Sequence, residues 1–269
     1  MKIVTVQDLS CFGKCALTLA IPVLSAMGYE TSVLPTALLS THTGGLGKPY
    51  VQNLTAAAEG IMDHWQEVGV RFDAVLTGYL GSETAIRSAR RLMRECCAED
   101  AMTFCDPAMA DGGKRYAGLD ERYAQAMTDL CLEADVMLPN LTEASMMTGI
   151  PVPAQEARMQ ETAVRMLEKL RQMGARRVVL KGHPGVGQSL LHADGRISFV
   201  PAQALEGPYH GTGDLFAAAF FGAYLRTKSM DGSARMAGVF VKESIAATQR
   251  AGQDERMGVR FEEALGMLI

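Results

Sequence analysis

Short β-branched runs alternate with segments of helical length along almost the whole chain, and this alternation constrains the fold more than any other feature. Residues 2–6, 31–37, 73–79, 102–106, 135–138 and 177–181 read as strands, the run 73–79 including a turn. Between them, residues 16–27, 50–68, a run from Ser82 to about residue 97, 119–133 and 156–173 have the length and periodicity of helices, and another helix starts at Asn140. Residues 188–192 and 197–200, joined through Ala-Asp-Gly-Arg, read as a hairpin, and further helices fall near 233–249 and 261–268. Strands separated by helices of this length imply an α/β fold of three layers, a mostly parallel sheet covered on both faces and joined by right-handed crossovers. At 269 residues and 48% apolar, with no internal repeat and no linker, the chain is expected to form one domain over 1–269.

In such a sheet the loops that leave the strands gather along one edge, where open α/β sheets bind ligands. Those loops are polar here: residues 7–14, the glycine-rich 38–49, and 107–116 with its acid and two bases. The stretch 207–223, Gly-Pro-Tyr-His-Gly-Thr-Gly-Asp-Leu-Phe-Ala-Ala-Ala-Phe-Phe-Gly-Ala, opens a tight turn into an apolar helix. A helix start of this kind presents unpaired N–H groups to an anion, and flanking glycines allow close approach. Asp214 in the first turn has two readings. It is an acid favoured by the helix dipole, or a base that takes a proton from something attacking a resident phosphate.

Asp106, Asp111, Glu143 and Asp214 each fall at a strand end or near a helix start, and Asn140 with Glu143 three residues on has the spacing of a capping box. Each alone is a cap or turn residue; together with the anion-type helix start they suit a magnesium-nucleotide site, since magnesium takes few carboxylates plus waters and phosphate oxygens. Residues 182–189 imitate a phosphate-binding loop, but Gln188 replaces the lysine that such a loop needs and a strand follows. No G-x-G-x-x-G follows the first strand, which speaks against a dinucleotide. The five histidines lack metal-ligand spacing and the six cysteines form no C-x-x-C pair, so neither a transition-metal site nor a disulfide framework is expected. A net charge of -4 without a basic run argues against nucleic acid and anionic membranes. No apolar run reaches the length of a membrane span and the first residues read as a strand, so a cytoplasmic protein is expected.

The chain resembles the ribokinase-like vitamin kinases, most closely the pyridoxal (pyridoxine, pyridoxamine) kinases. The motifs that carry the resemblance are Gln7-Asp-Leu-Ser10 with Phe12-Gly13, Ser40-Thr-His-Thr-Gly44, Gly78-Tyr-Leu-Gly-Ser82, Cys105-Asp-Pro107 with Asp111, Leu138-Pro-Asn-Leu-Thr-Glu143 and Gly211-Thr-Gly-Asp214, in the family's order. It implies ATP-dependent phosphorylation of the 5'-hydroxymethyl group of a B6 vitamer. Asp214 would be the base, with the N–H groups of Gly211, Thr212 and Gly213 as the anion hole. Ser10, Thr43 and Tyr79 match substrate-contacting positions. Asp106, Asp111, Tyr116, Asn140, Glu143 and Lys181 fall on the nucleotide side, with Asp106 and Glu143 facing Mg2+ partly through water. A monovalent cation and a homodimer are further implications.

The resemblance has departures. Where well-known pyridoxal kinases carry Thr or Ser, the late strand here ends Lys181-Gly182-His183, which looks more like hydroxymethylpyrimidine kinases, yet those relatives usually carry Cys in place of Asp214. Two alternatives therefore stand beside the B6 kinase: a hydroxymethylpyrimidine kinase, and a vitamin-binding protein of the same fold without catalysis.

Overall fold

The computed structural model describes residues 1–183, 186–201 and 209–269. Gly207 and Pro208 of the anion-type stretch, and Pro184 and Gly185 of the imitation phosphate loop, lie outside the described residues. The strands are β1 (Ile3–Ser10), β2 (Thr31–Leu39), β3 (Val51–Asn53), β4 (Phe72–Thr77), β5 (Cys97–Cys105), β6 (Ala110–Asp111), β7 (Lys114–Arg115), β8 (Val136–Met137), β9 (Val178–His183), β10 (Gly187–Leu191) and β11 (Ile197–Val200). The helices are α1 (Leu17–Ala26), α2 (Thr55–Glu67), α3 (Glu83–Glu95), α4 (Glu121–Glu133), α5 (Leu141–Thr148), α6 (Met159–Gln172), α7 (Thr212–Thr227) and α8 (Met230–Arg250).

The main sheet runs β11-β10-β9-β8-β5-β4-β1-β2-β3. From β9 through β2 every pairing is parallel, while β3, β10 and β11 join the two edges antiparallel. Successive residues of a strand point to opposite faces, and the core divides accordingly. Ile3, Ala74, Leu76, Phe104 and Val179 pack under α1, α7 and α8. Val4, Val6, Val75, Cys105 and Leu180 pack under α2 to α6. This is the expected three-layer α/β/α arrangement. Every residue from Leu215 to Leu225 is buried, because α7 is enclosed between the sheet and its neighbouring helices.

Three local expectations are corrected. The chain from residue 50 does not start a helix; Val51–Asn53 pairs with Ala37–Leu39, and α2 begins only after Asn53, whose side chain accepts from the Thr55 N–H at 2.8 Å. A three-residue edge strand is too short to show a period of two. The last segment, Phe261–Leu268, is a 3-10 helix rather than an α-helix. Most relevant to the site, the loop read as 7–14 starts later, because β1 continues to Ser10. Its pairing with β2 shifts register, Gln7 opposite Pro35 but Leu9 opposite Leu38, so β2 bulges where Pro35 has no N–H to donate.

Candidate active site

The carboxyl edge of the parallel strands holds a cavity of about 370 Å³. Its walls come from the end of β1 (Asp8, Ser10), the glycine-rich loop (His42, Thr43, Gly44), the turn after β4 (Tyr79), the ribbon β6–β7 with its flanks (Asp111, Gly112, Tyr116) and the start of α7 (Gly211, Asp214). Of the residues expected from sequence, Ser10, Thr43, Tyr79, Asp111, Tyr116, Gly211 and Asp214 therefore line one space. Asp106, Asn140, Glu143, Lys181, Thr212 and Gly213 are not among its lining residues.

The start of α7 depends on glycine. Gly211 is left-handed at φ 78° and no side chain caps the helix, so the first N–H groups of α7 have no capping side chain. A Cβ on Gly211 would lie 2.4 Å from the Lys14 carbonyl oxygen. The same approach brings the loop before α1 to Asp214, whose Oδ2 accepts from the Ala16 N–H at 2.8 Å. Burial and the Asp106 carboxylate raise the Asp214 acid to about 6, against the opposing Ala16 N–H and Lys181.

Beside this helix start lies a buried ion pair. Lys181, near the end of β9, donates to both oxygens of Asp106 at 2.7 and 2.6 Å, and a Cβ on Gly213 would stand 3.4 Å from its Nζ. Burial opposes the charge of Lys181, but Asp106 and Glu143 outweigh it and keep the lysine pKa above its ordinary value. Burial also pushes Asp106 up, only partly offset by Lys181.

Asn140 and Glu143 form the expected capping box of α5. Glu143 also reaches beyond its own helix. One oxygen accepts from the Asn140 N–H at 2.8 Å and the other from the Met109 N–H at 2.9 Å. It thereby ties the loop after Asp106 to α5, and the Asn140 amide donates to the Ala110 carbonyl at 2.8 Å. Burial and Asp106 raise Glu143 to about 7 against Lys181. Each Glu143 oxygen and Asp106 Oδ2 accept one hydrogen bond and keep a second lone pair, whereas Asp106 Oδ1 accepts from both Lys181 and the Ala108 N–H. The donor set fits a magnesium ion reached through water better than one bound directly.

Among the wall residues that sequence reasoning did not assign to the site are four with titratable side chains: Asp8, Cys15, His42 and His210. Asp8 and Ser10, two apart on a strand, share one side, a signal hidden by ending β1 at residue 6. His42 fixes the glycine-rich loop, its Nδ1 accepting from the Gly44 N–H at 3.0 Å and its Nε2 donating to the Arg256 carbonyl at 2.6 Å. Its ring meets that of His210 at 5.3 Å. Only the fold brings residue 256 to residue 42.

An anion-ready helix start, a carboxylate in its first turn and an adjacent buried lysine suit phosphoryl transfer to a small alcohol, and the fold is that of the ribokinase-like kinases. The chain belongs to the family whose model is described as phosphomethylpyrimidine kinase, matched over residues 20–258. It is 29% identical over 268 residues to a pyridoxal kinase of Deinococcus radiodurans, covering 94% of this chain and 89% of the relative. Among solved structures, a pyridoxal kinase from Lactobacillus plantarum superposes with a TM-score of 0.88 at 32% identity, covering 99% of this chain and 96% of the other. A putative phosphomethylpyrimidine kinase from Bacteroides thetaiotaomicron, solved with pyridoxal, gives 0.92 at 31% identity and covers 99% and 95%. A pyridoxal kinase from Leishmania donovani in complex with ADP and pyridoxamine gives 0.77 at 25% identity, with coverages of 99% and 95%. The chain is a phosphotransferase with an alcohol acceptor, of the pyridoxal kinase group.

Proposed function

We propose that the protein transfers the γ-phosphoryl group of ATP to the 5'-hydroxymethyl group of pyridoxal, pyridoxine or pyridoxamine, with Asp214 as the base. The observation that carries this reading is the position of Asp214, in the first turn of an uncapped helix and on the wall of the cavity. The substrate hydroxyl gives its proton to Asp214 as it attacks, and the N–H groups of Gly211, Thr212 and Gly213 receive the charge of the transferring group. Ser10, Thr43 and Tyr79 hold the vitamer ring. Lys181 faces the phosphates from its pair with Asp106, while Asp111, Tyr116, Asn140 and Glu143 shape the nucleotide side. Asp106 and Glu143 would hold a magnesium ion through water, which would supply neutralising charge to the phosphates when bound.

The same reading makes the protein a cytoplasmic homodimer; size-exclusion chromatography with light scattering reads the assembly. Among the described residues no helix is long and apolar enough to cross a membrane. Hydroxymethylpyrimidine is the rival acceptor, favoured by the description of the matching family. The test is ADP release from Mg-ATP with each B6 vitamer and with the pyrimidine. Turnover of the vitamers is expected, and turnover of the pyrimidine alone would overturn the assignment.

A further inference from the structure

The cavity contains a carboxylate that phosphoryl transfer does not use. Asp8 is 3% exposed and lines the cavity. One of its oxygens accepts from the Ser10 hydroxyl at 2.9 Å, and among the described residues no lysine, arginine or histidine contributes to its environment as a partner. Holding a carboxylate in such a place is costly unless something neutralises it. An asparagine would keep the shape without the charge, so the charge itself needs a reason.

Among the described residues no lysine or arginine lines the cavity; of its two histidines, His42 is bonded to Gly44 and Arg256 with its pKa lowered by burial, and His210 makes no hydrogen bond to Asp8. Ser10 on the same strand, Cys15 before α1, Tyr79 after β4 and Asp214 on α7 face the group. Burial and the charge of Asp214 push the Asp8 acid up to about 7, with the Ser10 hydroxyl opposing. Burial, with Asp8 as a second cause, raises both Cys15 and Tyr79, keeping them neutral. The β2 bulge and the two-residue period of β1 fix Asp8 and Ser10 on one side, so the carboxylate is aimed and oriented before any ligand arrives.

We propose that Asp8 is a specificity-determining residue that binds the protonated ring nitrogen of the phosphoryl acceptor, so that the enzyme selects aromatic alcohols carrying a cationic N–H. This inference rests on the B6 reading and names the form of the vitamer that is bound. The ring nitrogen is common to pyridoxal, pyridoxine and pyridoxamine, so recognition there leaves the 4' substituent free to vary. A pyrimidine is a weaker base than a hydroxypyridine and would leave Asp8 buried without a counter-charge, which disfavours it.

The test uses pyridoxine, whose near-ultraviolet absorbance reports the protonation of its ring, titrated with pH on the protein without ATP. On the wild type the bound ring keeps its proton to a higher pH than free pyridoxine, and in Asp8→Asn this difference disappears. In steady-state assays Asp8→Asn raises KM for pyridoxine about tenfold or more, with a much smaller change in KM for ATP. A carbon analogue of pyridoxine, with C–H in place of the ring nitrogen, is a poor acceptor for the wild type; this arm needs no variant to fold. Equal binding of analogue and pyridoxine by the wild type, or an unchanged bound spectrum and KM in Asp8→Asn, overturns the inference. Those results leave the B6 kinase reading intact, whereas failure to phosphorylate any vitamer would remove that reading itself.

Discussion

With Asp214 as the proposed base, its acid sets the expected pH behaviour of the reaction. A base must be unprotonated to act, and its acid is raised to about 6 by burial and by Asp106. The expected kcat/KM profile therefore falls as pH drops through about 6, rather than near 4 where an exposed aspartate titrates; a flat profile between pH 5 and 7 would remove Asp214 from the role. Lys181 gives a different kind of prediction. Lys181→Met leaves Asp106 buried without its partner, and loss of one member of a buried pair costs about 3–5 kcal/mol. Thermal unfolding of that variant should show a clear drop in Tm together with lost activity. The two residues also differ in legibility. Asp214 could be singled out because glycines, threonine and acid are contiguous, whereas the partner of Lys181 lies 75 residues away and no local pattern announces it. Asp8 was hidden for a third reason: a strand that continues across a bulge into polar residues reads as a loop.

At the level of elements, the start of α7 is the part least tolerant of change. Gly211→Ala places a side chain in the left-handed region and a Cβ 2.4 Å from the Lys14 carbonyl. The backbone conformation alone costs about 1–3 kcal/mol, and the displaced loop would lose the Ala16 N–H bond to Asp214. Activity should collapse more than stability does, as measured by turnover beside a melting curve. Ser82→Ala supplies the contrast. Ser82 caps α3 by accepting from the Ala85 N–H, so its loss should cost about 1 kcal/mol with kcat little altered. Caps and the Asn140–Glu143 box were legible because their chemistry is local and their spacing fixed. The glycine-rich loop was legible as a cover but not its anchor, since His42 is held by a carbonyl at residue 256. The edge strand β3 was missed because its pairing with β2, rather than its own composition, makes it a strand.

For the whole molecule, alternation of strand and helix was enough to give three layers and a parallel sheet, but not the strand order. That order depends on which crossovers pack best, and the antiparallel edges carry no separate signal. Gathering the loops at one edge concentrates acids there, with a consequence for stability. Asp8, Glu143 and Asp214 all have raised acids, to about 7, 7 and 6. Between about pH 4 and 7 the native state then binds more protons than the unfolded chain, so their contribution to stability falls as pH rises through that window. Exposed acids such as Asp254, lowered to about 2 by Arg256, act in the opposite sense but below this window, and they are screened by solvent. The Tm of the ligand-free protein should fall less over this range in Asp8→Asn than in the wild type; an identical pH dependence would contradict the raised Asp8. Proton transfer to Asp214 is the step on which the whole reading depends, and the most direct measurement is phosphoryl transfer from Mg-ATP to pyridoxal by wild type and Asp214→Asn, with pyridoxal binding followed in parallel. Loss of about 10²- to 10⁴-fold in turnover with binding retained is the predicted result, and turnover at the wild-type rate would contradict it.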